Sequence, residues 1–193
     1  MQEAIESLLP SRGKRVVLRA WQLSDVPTLR HWNLPGHHWH AFNGPYFEDP
    51  TVEEADALAE RVRNHIQAGR TTAKGRYLPL ADASDDSLLG TVSCYELDET
   101  GWTAAGITMY DDRKWGQGLG TEGLGLYVDF LFRLRPDLHR LDLRTWSGNH
   151  GMLKVAERLG FTLEARFREA RVVEGVRYDG IGYGLLRTEW AAR

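Results

Sequence analysis

The stretch 113–125, RKWGQGLGTEGLG, stands between a strand-like segment, GITMY at 106–110, and a helical one, TEGLGLYVDFLF at 121–132. Gly116, Gly118, Gly120 and Gly123 fall within eight residues, more than a tight strand-to-helix turn requires. Without side chains a ligand can approach the backbone, and the helix behind the turn aims its free N–H groups at it. That arrangement asks for an anion. A Walker A loop is excluded, because Gly120 is followed by Thr121 and Glu122 rather than by Lys and Ser or Thr. GLGTEG, Gly118 to Gly123, matches GxGxxG, with Asp142 near the distance of a ribose-binding acid. Against a dinucleotide fold, DDRK separates this match from its strand, and too little chain follows for further βα units.

Outward from the turn, the pattern reads as one mixed sheet. RVVLRAWQ (15–22) alternates as a strand, and SDVPTLRHW follows as a helix with Ser24 as N-cap and Pro27 in its first turn. Residues 33–50 have no periodicity and are read as a long loop carrying function. Thr51 and Glu54 form a capping box for a helix ending at Gly69. Three strands follow, at 76–82, 87–97 and 101–110, then a helix 121–134 stopped by Pro136. A strand at 140–146, a helix from Asn149 to Leu159 and a hairpin turning at Glu174-Gly175 complete the order. The expectation is an α/β (α+β) fold: a mixed, mostly antiparallel central sheet of about seven strands flanked by about four helices, in a single domain over 1–193.

Composition narrows the function. With 193 residues, 42% hydrophobic, one core is sufficient. The formal charge of −3 and the absence of a long basic run argue against nucleic acid as partner. One cysteine, Cys94, and the absence of a long apolar run point to a cytoplasmic protein with no membrane partner. Cys94 is also weighed as an acyl-accepting nucleophile, with a core position the blander reading. His31, His37, His38 and His40 in the loop lack the spacing of a metal site, so no metal is expected.

DDRKWGQGLGTEGLGLYVDFLF resembles the acyl-CoA-binding segment of the GNAT superfamily of N-acyltransferases, with Arg113, Gly116 and Gly118 on its pattern. The segment from Asn149 through LGF (159–161) to the closing Glu189-Trp190 resembles the RimJ/RimL-type branch, as does the opening LRAWQLSDVPTLRHW. The resemblance implies acetyl-CoA as co-substrate, its pyrophosphate held by Trp115, Gly116, Gln117, Gly118, Leu119, Gly120 and Thr121, with Arg113 and Lys114 at the entry. It implies a strand N–H, from Met109 or Tyr110, polarising the thioester carbonyl in a gap of the sheet, and Asn149 bonding the pantetheine arm. It places the acceptor, a protein N-terminus or a small amine, against the long loop, where His38, Trp39 and Tyr46 are candidate contacts.

Similar enzymes carry a Glu where this chain has Ala104 and Ala105, and a Ser where it has Met152. Glu96 is the carboxylate nominated as base, with Tyr95, His150 and the loop as other sources. A second reading keeps the cradle without turnover, as an acyl-CoA-binding module or sensor; the resemblance also allows a homodimer.

Overall fold

The computed structural model describes residues 2–48 and 50–192. In chain order the helices are α1 (Gln2–Leu8), α2 (Asp25–Asn33), α3 (Val52–Gln67), α4 (Leu119–Leu134), α5 (His150–Arg158) and α6 (Arg187–Ala191). The strands are β1 (Ser11–Arg12), β2 (Val16–Leu18), β3 (Tyr77–Asp82), β4 (Leu88–Glu96), β5 (Thr103–Met109), β6 (Arg140–Trp146), β7 (Thr162–Val173) and β8 (Val176–Leu186). They form one eight-stranded sheet in the order β1-β2-β3-β4-β5-β6-β8-β7. Every neighbouring pair is antiparallel except β5 and β6.

The sheet thus has one strand more than the sequence pattern suggests, and there are two additional helices. β1 has two residues and α6 five, too short for any periodicity to register. The first expected strand is cut to Val16–Leu18, all three buried, because Arg19 turns inward. Its guanidinium meets both oxygens of Asp25 at 2.7 and 2.8 Å and Asp86 Oδ1 at 2.8 Å. Burial alone would lower the Arg19 pKa, but Asp25 and Asp86 outweigh it and hold the group above its ordinary value. Ser24 is not the side-chain cap expected of it: it has helical backbone angles, and the Gln22 N–H donates to Asp25 Oδ2 instead. The Thr51–Glu54 capping box forms as read.

One face of the sheet packs on α4, with Leu78, Leu80, Leu141, Leu143, Leu124 and Val128 in the main core. The other face, over β3 and β4, is covered by α2, α3 and the following loop through Trp21, Val26, Leu29, Trp39 and Val62. The residues that position the site lie where β5 and β6 meet. They pair only over Thr103–Ala105 and Leu141–Leu143, whereas β5 runs on to Met109 and β6 to Trp146. Beyond Ala105 the two strands part.

Candidate active site

The glycine turn lies at the open end of this fork. Asp112–Lys114 form one 3₁₀ turn, and α4 then begins at Leu119, two residues earlier than the sequence pattern suggests, with Gly118 as its N-cap at φ 85°. Gly116 has φ 75° as well, a left-handed conformation that side chains other than glycine adopt only with strain. No backbone N–H group from Gly116 through Thr121 makes a hydrogen bond of ordinary geometry to a described residue, although the Gln117 side-chain N–H donates to the Arg113 carbonyl at 3.1 Å. A run of free amides at a helix N-terminus is an anion cradle. Its floor is β5: a Cβ on Gly120 would stand 3.5 Å from Met109 and 3.9 Å from Val155 of α5.

The cations named from sequence are engaged elsewhere. Arg113 makes two 2.8 Å bonds to Asp111, and Lys114 Nζ lies 3.3 Å from Asp82. The cation that reaches the turn is Arg15, whose guanidinium donates to the Gln117 carbonyl at 2.8 Å. Glu122 anchors it from below, accepting from the backbone N–H groups of Arg15 and Val16. These contacts span over a hundred residues of chain, and no local motif announces them. Leu119 is buried in the core, so only its backbone faces the cradle.

Of the two strand donors, the structure separates the roles. The Tyr110 N–H is consumed by the Leu89 carbonyl at 3.1 Å, and its ring is buried among Trp21, Trp39 and Leu88. Burial and the neighbouring Tyr77 push its phenol well above the ordinary range. Alternation along β5 then turns the Met109 N–H the other way, into the fork. The Met109 carbonyl accepts from the Trp115 indole at 2.9 Å, which seats that ring at the mouth.

Across the fork, Asn149 caps α5, its Oδ1 accepting from the Met152 N–H at 3.0 Å, while Nδ2 donates to the Phe42 carbonyl at 3.1 Å. One N–H and one lone pair of its amide remain spare. Trp146 Nε1 donates to the same Phe42 carbonyl at 3.3 Å, so the 3₁₀ turn His38–Phe42 is tied across the opening. His38 stacks on Trp115 and shares a 2.9 Å contact between Nδ1 and Asp112 Oδ2, leaving Nε2 without a described partner. Tyr46 lies further along the same loop under Arg171. Trp39 is not a wall of the site: it is 7% exposed, packed in the second core, with its indole on the Trp32 carbonyl.

Glu96 is not brought to the fork. It pairs with Thr103 at the closed end of β5, six residues from Met109, and its carboxylate is 2.7 Å from Arg76. Cys94 packs against the main core, and burial pushes its thiol up, away from a reactive thiolate. Among the described residues there is no cluster of three or more metal-ligating side chains, and no helix is long and apolar enough to cross a membrane.

The parted parallel strands and the amide cradle together make a gap in the sheet with an anion-binding end. The model of the acetyltransferase (GNAT) domain matches residues 15–162, and the chain belongs to that family. It is 35% identical over 174 residues to "Probable N-acetyltransferase YjcK" of Bacillus subtilis, covering 87% of this chain and 92% of that protein. It is 25% identical over 183 residues, 92% of this chain and 93% of the relative, to a prophage-derived N-acetyltransferase, YokL, of the same organism. Its fold matches the spermidine N-acetyltransferase of Vibrio cholerae, solved with CoA and spermine, with a TM-score of 0.71 at 18% identity over 93% of this chain and 99% of the other.

Proposed function

We infer that the protein is a cytoplasmic N-acetyltransferase of the RimJ/RimL type, acting as a single domain and a homodimer, that transfers the acetyl group of acetyl-CoA directly to a primary amine. The observation that carries this reading is the run of free N–H groups from Gly116 to Thr121 beside the fork. Charge-assisted bonds from such amides contribute about 1.5–3 kcal/mol each, so a few of them hold a diphosphate.

Each step falls to a named group. The cradle and Arg15 hold the pyrophosphate, and the spare capacity of Asn149 orients the arm. The Met109 N–H donates to the thioester oxygen as negative charge develops there. The amine attacks, a C–N bond forms and the C–S bond breaks. His38 takes the amine proton on Nε2, because Asp112 holds Nδ1 and fixes the ring, and the leaving thiolate is protonated from solvent. Since the His38 ring stacks on Trp115, itself bonded to Met109, this base stands at the same end of β5 as the oxyanion donor.

Acetyl-CoA at a hundred times its Kd is expected to raise the melting temperature by about 5–10 °C, from a linkage of about 2.7 kcal/mol. NAD is expected to leave it unchanged. An NAD shift without one for acetyl-CoA would reverse the reading. His38→Gln is expected to lower kcat about 100-fold, in the usual range for losing a general base, with acetyl-CoA affinity retained. An unaltered kcat would move the proton to another group.

A further inference from the structure

Beside the fork, the sheet face opposite α4 is covered by side chains rather than by a helix of the main core. The register places Tyr95, Ala104, Asp142 and Gly184 in one row on that face and Arg144 with Gly182 in the next. Helices α4, α5 and α6 all pack on the reverse side, against Leu143, Tyr183 and Leu185. On the face opposite α4, Tyr95 is 48% and Trp102 37% exposed, Ala104 is buried beneath side chains, and the half-buried glycines Gly106 and Gly182 lie toward the fork. Arg144 is the first β6 residue past the last β5 pairing, so it stands where the fork opens.

The charges on this face are unequal. Arg144 lies over the Trp102 ring at 5.3 Å and Arg171 over the Tyr46 ring at 4.4 Å. Among the described residues neither guanidinium has a carboxylate partner. The nearby acids are already taken: Asp142 and Glu164 each lie 2.6 Å from Arg140, and Asp179 lies 2.8 Å from Arg166. Burial pushes the Tyr95 phenol up, Arg144 pulls it down, and Tyr46 and Asp142 push it up, so these groups act on one another across this face. A guanidinium held over an aromatic ring and free of a protein carboxylate can still capture a carboxylate in bidentate fashion. A polyamine would meet two uncompensated cations here.

We propose that the acceptor is a primary amine carrying carboxylate groups close to its nitrogen, held by Arg144 and Arg171 between Tyr46, Tyr95 and Trp102. This rests on the acyl-transfer reading and names its substrate class. A carboxylate on Arg144 leaves the amine a short reach from the gap beyond Ala105. An acidic polypeptide N-terminus and a free acidic amino acid both have this chemistry.

The test is calorimetric titration of the protein saturated with CoA, using the amidated peptides Ser-Asp-Glu-Asp and Ser-Lys-Arg-Lys, free aspartate, and spermidine. The acidic peptide is expected to bind at least about 10-fold more tightly than the basic one, with the preference lost in R144E and R171E. Melting temperature and CoA affinity should be unchanged in both variants. Aspartate binding as well as the acidic peptide assigns a small amino acid; peptide binding alone assigns a polypeptide N-terminus. Equal binding, tighter binding of the basic peptide or spermidine, or no binding of any acceptor to the CoA-loaded protein overturns the proposal and leaves the donor site intact. Failure to load CoA in the first titration removes the acyl-transfer reading itself, and the proposal with it.

Discussion

Gly118→Val is expected to abolish acetyl-CoA binding while leaving the protein folded. Gly118 holds φ 85°, where a β-branched residue is strained by about 1–3 kcal/mol, and its added Cβ would stand 3.4 Å from the Arg15 guanidinium. Relief of that strain rotates the amides of the turn away from a common point. Losing two charge-assisted bonds of about 2 kcal/mol each weakens binding about 1,000-fold. Gly118→Asn, which tolerates the left-handed region better, should retain most of the affinity. Titration with acetyl-CoA checks both variants, and equal affinity of the valine variant and the parent would show that the cradle does not hold the donor.

Asp25→Ala is expected to be the most destabilising substitution away from the hydrophobic core. Its partner Arg19 has a side chain 7% exposed, and the change leaves the guanidinium with only Asp86 and two carbonyls. Removing one member of a buried pair costs about 3–5 kcal/mol, which for a chain of this length lowers the melting temperature by about 6–20 °C. Replacing both residues, as R19M with D25L, should recover most of the loss, because no buried charge is then left alone. Calorimetric melting of the single and double variants decides this. A single variant within 1–2 °C of the parent would show that Arg19 finds water instead.

Much of this architecture is written locally. The glycine run fixes a strand-turn-helix unit within eight residues, and Thr51 with Glu54 and Asn149 with Met152 fix the starts of α3 and α5 within four each. What escaped the sequence is non-local. The His38–Asp112 pair joins residues 74 apart, and the Arg15–Gln117 bond joins residues 102 apart. Neither has a spacing rule, so Arg113 and Lys114 drew notice for their proximity in sequence while Arg15 filled the position in space. Glu96 looked suitable as a carboxylate at a strand end, but only the register shows that it is the wrong end. Trp39, one of many aromatics in an unpatterned loop, gave no sign of which way it faced.

The single parallel contact in the sheet has a consequence for evolvability. To bring β6 alongside β5 in the same direction, the chain must cross over, and α4 is that crossing. Its leading end therefore emerges wherever β5 finishes, which is also where the two strands have separated. Connectivity, rather than any one side chain, keeps the glycine turn beside the gap, so the exposed residues of the loop 33–50 can change without moving the turn.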